Sequence, residues 1–165
     1  HRFAQLMKAA GLVEAGTTSD GSETYLLSNI LAFDAELGRK VTQRFIAFIP
    51  TNEAIEKAIQ EGSIPGVSNA SFDADGNLTG TFDKEVLTDY LNSYFLCATN
   101  SVITTYPYIG STMTTGNYTT LSNTNNGNSL SVQLPSGKKC NVVSQYHYFP
   151  FAFNDGCFHL IEDTF

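Results

Sequence analysis

Histidine and cysteine are the side chains to weigh first, because nucleophilic catalysis pairs a nucleophile with a basic imidazole. Away from the amino terminus the sequence offers His147 and His159, and Cys157 precedes His159 by two residues. On a strand, Cys157 and His159 would share one face roughly 6–7 Å apart, beyond direct hydrogen-bond reach. We therefore predict a half-buried strand with a hydrogen-bonded histidine, no catalytic residues and no enzyme activity. A hydrolase is kept as a third hypothesis.

Carboxylates at alternate positions could bind calcium. Asp73, Asp75 and Asn77 match the first, third and fifth places of a calcium loop. The sixth place is Leu78 instead of the required glycine, and the twelfth is Lys84 instead of a bidentate glutamate. This pattern indicates an ordinary Asp/Gly turn, so we predict neither a metal nor a cofactor.

Tyrosines offer a different chemistry, since flat amphipathic rings stack on sugars or on protein partners. In the segment from residue 146 to 153, Tyr146 and Tyr148 fall on one strand face, while His147 and the phenylalanines fall on the other. The phenylalanine face is predicted to be core. Tyr106, Tyr108, Tyr146 and Tyr148 are the candidate ligand-binding residues.

Three cysteines, Cys97, Cys140 and Cys157, allow one disulfide at most and have no CxxC spacing for zinc or redox chemistry. Cys140 and Cys157 fall on predicted C-terminal strands that could be neighbours. We favour buried free thiols over a Cys140–Cys157 disulfide, which stays open as the alternative.

Composition restricts the classes of function. The 165 residues are 42% hydrophobic, enough for one domain with a core but short for two. A formal charge of −7 lacks the basic footprint of a nucleic-acid binder. No apolar run reaches the ~18 residues that a membrane span requires. Because the chain begins at His1, we expect an excised piece of a longer protein with a signal or anchor upstream.

Hydrophobic spacing places the elements that must position these residues. A first helix is predicted over Arg2 to Ala10, and a strand over Thr42 to Ile49 that Pro50 ends. Thr51 then caps a helix of about nine residues, with Glu53 at its positive end. The segment from Tyr25 to Phe33 could be strand or helix.

The second half of the chain changes character. Residues Ser63 to Gly80 are rich in turn formers, and a further helix is predicted from Thr81 or Asp83, with its apolar face formed by Val86, Leu87, Tyr90, Leu91 and Tyr94. From Phe95 onward, β-branched and aromatic residues alternate with turn dipeptides. Helices followed by strands predict an α+β domain.

Three segments together resemble the fasciclin (FAS1) domain across nearly the whole chain. Leu6 to Glu14 looks like the opening helix with its Gly-Leu exit, Phe45 to Ile55 with its FIPTNEAI looks like the first hallmark, and Asn154 to Asp163, NDGCFHLIED, looks like the second. The hallmarks are about 100 residues apart and in the family's order. The motif residues carried over are Pro50, Thr51, Asn52, Glu53, Asn154, Gly156, His159 and Asp163.

The resemblance implies a FAS1-like α+β fold, a β-sandwich wedge with short helices packed at one side, over residues 1–165. It implies an extracellular or cell-surface module, including bacterial surface proteins and lipoproteins, with no cofactor and no catalytic set. We expect adhesion through extracellular protein or matrix partners; a polysaccharide-binding module is the alternative. Neighbouring fasciclin domains in the same chain are further expected partners.

Two features depart from the family pattern. Tyr94 stands where the family often has the histidine of a Tyr-His pair, which bears on any adhesion role of that pair. The region Thr17 to Arg44 is longer than usual, and we look there for contacts particular to this chain.

Overall fold

The computed structural model describes residues 1–17, 23–27, 32–34, 39–41, 45–97, 112–114, 120–125, 130–143, 151–153 and 156–165, with side chains in 1–12, 47–95, 131–143 and 158–165. Three helices lie in this part of the chain: α1 (Arg2–Ala10), α2 (Asn52–Glu61) and α3 (Lys84–Asn92). The strands are β1 (Val13–Thr17), β2 (Glu23–Leu27), β3 (Ala32–Asp34), β4 (Arg39–Val41), β5 (Phe45–Pro50), β6 (Val67–Phe72), β7 (Leu78–Phe82), β8 (Phe95–Cys97), β9 (Thr112–Thr114), β10 (Thr120–Asn125), β11 (Leu130–Gln133), β12 (Lys139–Asn141), β13 (Phe151–Phe153) and β14 (Gly156–Ile161). The α+β class is confirmed.

Each helix begins and ends where its sequence dictates. Gly11, in the left-handed conformation with φ 77°, ends α1 and donates its N–H to the carbonyl of Lys8. Thr51 caps α2 as predicted. Asp83 caps α3 by accepting the N–H groups of Glu85 and Val86 at 3.2 Å. None of the described helices is long and apolar enough to cross a bilayer.

Strands form two four-stranded sheets and three two-stranded ones among the described residues. One larger sheet has the order β13-β14-β5-β8, and the other has the order β12-β11-β10-β9. The pairs are β1-β2, β3-β4 and β6-β7, all antiparallel. The ambiguous segment from Tyr25 to Phe33 is therefore strand wherever it is described, at the end of β2 and at the start of β3.

Two details of the sequence-based reading are wrong. The stretch from Ser63 to Gly80 was predicted as turns, but most of it forms the hairpin β6–β7, whose outward Ser and Thr residues concealed the alternation with Val67, Phe72 and Leu78. Val86 was placed on the buried face of α3, but it is 44% exposed. Tyr94 is fully buried just beyond the end of α3, so its burial follows from the turn after the helix.

The core lies between the helices and the first large sheet. Side chains from α1, α2, α3 and β5 meet there, together with residues of β11, β12 and β14; the most deeply buried are Phe48, Tyr94, Phe95, Leu6, Leu12, Ile55, Leu87, Leu91, Val132, Cys140 and Ile161. Burying side chains of this size contributes about 1.5–3 kcal/mol each relative to leaving them exposed.

Gly66 joins the hairpin to α3 at very close range. Its φ is +75°, and its carbonyl accepts the N–H of Asp83 at 2.8 Å, immediately before α3. A Cβ at this position would lie 2.7 Å from the backbone nitrogen of Leu87 and 2.8 Å from the carbonyl oxygen of Asp83. Only glycine allows the first turn of α3 to approach so closely.

We expect Gly66→Ala to lower the free energy of unfolding by at least about 3 kcal/mol, because left-handed strain of ~1–2 kcal/mol adds to a clash with backbone atoms. Gly62→Ala is the matched control: it has φ 63° but open space around its Cβ, so it should cost only about 1 kcal/mol. Urea denaturation of both variants measures the difference. Equal losses would show that close packing at Gly66 is unimportant.

Candidate functional site

The two predicted hallmark segments lie side by side in the first large sheet. β5 and β14 pair in parallel over six residues, from Phe45 opposite Gly156 to Pro50 opposite Ile161. Paired residues lie roughly 110 positions apart in the chain, so this contact is entirely tertiary. Of the motif residues, Gly156 lies at the amino end of the pair and Pro50 at its carboxyl end, while Asn154 lies outside the described residues.

At the carboxyl end of the pair the chain turns a corner, residues Pro50, Thr51 and Asn52, into α2. The N–H of Thr51 donates to the carbonyl of Ile161 at 3.0 Å, and its hydroxyl accepts the N–H of Ala54 at 3.2 Å. Thr51 therefore ends a sheet and starts a helix at once. Glu53 follows in the exposed first turn, where the helix dipole favours a negative charge.

Pro50 fits a central strand because its missing N–H faces an empty position in the ladder. The N–H groups of β5 alternate in direction, and that of Phe48 donates to Tyr94 on the side of β8. Pro50 faces the same side, where β8 pairs only with Phe45 to Ala47. A proline here ends the strand without removing a hydrogen bond.

Asn52 connects the corner to the amino terminus of the described chain. Its side-chain oxygen accepts the N–H of Arg2 at 3.0 Å. The Arg2 side chain makes three further contacts. Its Nε lies 2.7 Å from the Glu56 carboxylate, and its guanidinium donates to the carbonyl of Gly76 at 3.0 Å. Its Cζ lies 4.1 Å from the centre of the Phe72 ring. Arg2 thus joins α1 to α2 and to the hairpin.

His159 lies in the middle of β14, opposite Phe48, and is 1% exposed. Its ring stacks on that of Phe48, with centroids 5.8 Å apart and planes at 17°. Burial lowers the pKa of His159 from 6.5 to about 4, so the imidazole is neutral at physiological pH. The prediction of a half-buried strand agrees with the described side chains of β14, where His159 and Ile161 are buried while Phe158 and Leu160 are partly exposed.

Tyr94 anchors an aromatic cluster. Its ring stacks on Phe165 at 4.3 Å with planes at 4°, and its hydroxyl accepts the N–H of Phe165 at 2.6 Å. The hydroxyls of Tyr90 and Tyr94 lie 2.6 Å apart. Burial raises the pKa of Tyr94 well above its usual value, so it stays a protonated phenol. Tyr94 therefore fixes the end of the described chain.

The residues after β14 also contact β12 and the turn before it. Thr164 is buried, its carbonyl accepts the Cys140 thiol at 3.5 Å, and its N–H donates to the Asp163 carboxylate at 2.8 Å. The other oxygen of Asp163 lies 3.6 Å from the Lys138 ammonium, in an exposed pair. The motif residue Asp163 therefore orders the segment that follows the second hallmark.

Cys140 is a free, buried thiol, which agrees with the favoured prediction for that residue. Burial raises its pKa to about 11, so almost none of it is thiolate at neutral pH. The side chains of Cys97 and Cys157 lie outside the described part of the structure.

The calcium-like segment is the turn of the β6–β7 hairpin. The Asp73 carboxylate accepts the backbone N–H of Asn77 at 2.8 Å and its side-chain amide at 3.3 Å. The backbone bond from Asn77 lowers the pKa of Asp73. Gly76, with φ 83°, completes the turn. Across the described residues, no three His, Cys, Asp or Glu side chains come together as a metal site.

Together, the described motif residues position strands and helices, and the buried titratable groups near them, His159, Tyr94 and Cys140, are held neutral. The four tyrosines predicted to bind ligands, Tyr106, Tyr108, Tyr146 and Tyr148, lie outside the described residues. The sequence does not predict the contacts of Arg2 and Phe165, since a single arginine or a single phenylalanine forms no recognisable pattern with its neighbours in the chain.

Acid should destabilise the fold through His159. Its pKa is lowered on folding, so the unfolded chain binds a proton that the folded one excludes, and stability falls as pH drops from ~6.5 to about 4. We expect the wild type to lose about 2–3 kcal/mol more than His159→Gln between pH 7.5 and 4.5. Urea denaturation across this range measures the loss, with exposed His1→Gln as control. Parallel pH profiles for wild type and His159→Gln would contradict the assignment.

Comparison with known proteins gives no family assignment. No family model, curated protein or solved structure matches this chain. The fasciclin resemblance therefore stays a prediction that depends on the quoted residues.

Proposed function

We propose that this chain is a fasciclin-like domain of the cell exterior that mediates adhesion through protein or matrix partners. The observation that carries the proposal is the parallel pairing of β5 with β14. The two segments that resemble the family's hallmarks could lie anywhere in an unrelated fold, but here they are adjacent and joined by the bond from Thr51 to Ile161.

The character of the described surface and core supports a binding role over an enzymatic one. The motif residue that could act as a base, His159, is 1% exposed, and the thiol of Cys140 is fully buried. The chain carries a formal charge of −7. A negative net charge suits association with proteins or neutral polysaccharides better than with nucleic acid or anionic lipid.

An adhesion role predicts saturable binding by the folded domain. We expect the immobilised chain to capture at least one member of a panel of extracellular matrix proteins and cell-surface preparations in biolayer interferometry. Tyr106→Ala with Tyr108→Ala should weaken that binding tenfold or more, because tyrosine is enriched among the residues that dominate the binding energy of protein interfaces.

The control is a pair of outward residues of β7, Thr79→Ala with Thr81→Ala, which should leave the same binding unchanged. Heat-unfolded protein should not bind. Absence of any specific partner across the panel would contradict the adhesion proposal.

A second candidate function, glycan binding, is favoured by the outward face of the hairpin. Ser68 pairs with Thr81 and Ser71 pairs with Thr79, so a face without charges presents four exposed hydroxyls. Side-chain hydroxyls and stacked aromatic rings are the groups that bind uncharged sugars.

For this candidate, Tyr146→Ala with Tyr148→Ala should reduce binding on a glycan array by tenfold or more, since each lost ring–sugar stack removes about 1 kcal/mol or more. Thr79→Ala with Thr81→Ala should also reduce this binding, because it removes two of the four exposed hydroxyls of the hairpin. If the tyrosine variants bind every glycan as the wild type does, the tyrosines are not a sugar site.

A further inference from the structure

Both ends of the described chain are attached to one corner of the fold. Asn52 accepts the backbone N–H of Arg2 at 3.0 Å, and the adjacent Thr51 donates to Ile161, the last residue of β14, at 3.0 Å. The chain therefore enters through α1 and leaves through β14 at neighbouring points. Tension between the two ends crosses this corner before it reaches the remainder of the core.

This geometry loads the hydrogen bonds one after another. If two paired strands were instead pulled in opposite directions from opposite ends of the pair, all the hydrogen bonds between them would share the load. Here the anchor of α1 lies at the carboxyl end of the β5–β14 pair, the end from which the chain leaves. Pulling the ends apart therefore separates contacts one after another, starting at the corner.

The two sides of the corner are held by different kinds of contact. β14 is hydrogen-bonded along both edges, to β5 and to β13, and Glu162 continues with a bond from its N–H to the carbonyl of Asn141 at 2.9 Å. Beyond it, Phe165 is stacked on the buried Tyr94. The departing chain is thus tied by backbone bonds and by buried aromatic packing.

The side of α1 is held by side chains. Arg2 contributes the ion pair with Glu56, the bond to Gly76 and the contact with the Phe72 ring, and the Arg2 and Glu56 side chains are 25% and 42% exposed. Behind Arg2, Phe3 packs edge-on against Tyr94 with centroids 5.4 Å apart. Water competes with the partly exposed polar contacts, so these contacts yield first.

We propose that α1 is a force-releasable latch, closed by Arg2 at the Thr51–Asn52 corner, which leaves the core before any strand when the ends of the domain are pulled apart. Its release removes Phe3, Leu6 and Met7 from the core and uncovers the rings of Tyr94 and Phe95 beside Phe3, while the β5–β14 pair stays intact. An adhesion domain experiences such tension, so the biological use of the latch depends on the proposed function. The mechanical behaviour does not.

Single-molecule force spectroscopy on the whole 165-residue chain, held through peptide tags at its two ends, tests the latch without any binding partner. We expect an early, reversible step before global unfolding, with a contour-length gain of at most about 35 Å for the ten residues from Arg2 to Gly11. In Arg2→Ala the extrapolated rate of this step should rise about tenfold, with later unfolding unchanged.

Lys8→Ala is the matched control, since it removes one positive charge from an exposed position of the same helix, and it should leave the early step as in the wild type. Arg2→Lys, which keeps the charge but loses the planar fork, should give an intermediate rate. Circular dichroism and urea denaturation establish that every variant is folded. Single-step unfolding, a first step with the length of a lost β14, or equal effects of Arg2→Ala and Lys8→Ala would overturn the proposal. Since no partner is present, such a result would leave the adhesion proposal untouched.

Discussion

Parallel pairing of β5 with β14 is the constraint on which the described fold depends. It brings Ile161 to the corner, where the backbone N–H of Thr51 donates to the carbonyl of Ile161. The side chain of the same Thr51 caps the start of α2. From there the positions of other elements follow. α2 can bury Ile55 and Ala58 only because its start is fixed, and α1 is attached in turn through Asn52 and Arg2. The contacts of the corner, of α2 and of α1 thus all depend on the six-residue pairing of β5 with β14.

Neutral buried groups accompany this ladder. His159 and Tyr94 are polar side chains in positions where ionisation would cost several kcal/mol, and burial shifts the pKa of each in the direction that keeps it uncharged. The tyrosine does more than fill space, because its hydroxyl accepts the backbone N–H of Phe165 while its ring stacks on the ring of that residue. Tyr94 therefore supplies a stacking surface and a hydrogen-bond acceptor without introducing a base that titrates near neutral pH.

Local chemistry made much of this structure predictable. The caps of α2 and α3, the end of α1 at Gly11 and the strand before Pro50 each follow from a few neighbouring residues, and all lie where the sequence places them. The hairpin β6–β7 was missed because serine and threonine on its outward face resemble loop composition, while its alternating apolar residues are interrupted by a shift in register between Ser68 and Ser71. The Arg2 contacts unite residues from three separate segments, α1, α2 and the β6–β7 hairpin, so no pattern local to the chain could reveal them. The same holds for the stacking of Phe165 on Tyr94.

The separation between β5 and β14 also has a consequence for how the domain is made. Because the paired strands are roughly 110 residues apart, an emerging chain cannot complete the first large sheet until β14 is available. Closing so long a loop is entropically unfavourable, and until it closes β5 presents an apolar edge, FIAFI, with unpaired backbone groups. During synthesis β5 therefore waits for its partner, and the first large sheet can be completed only after β14 has emerged.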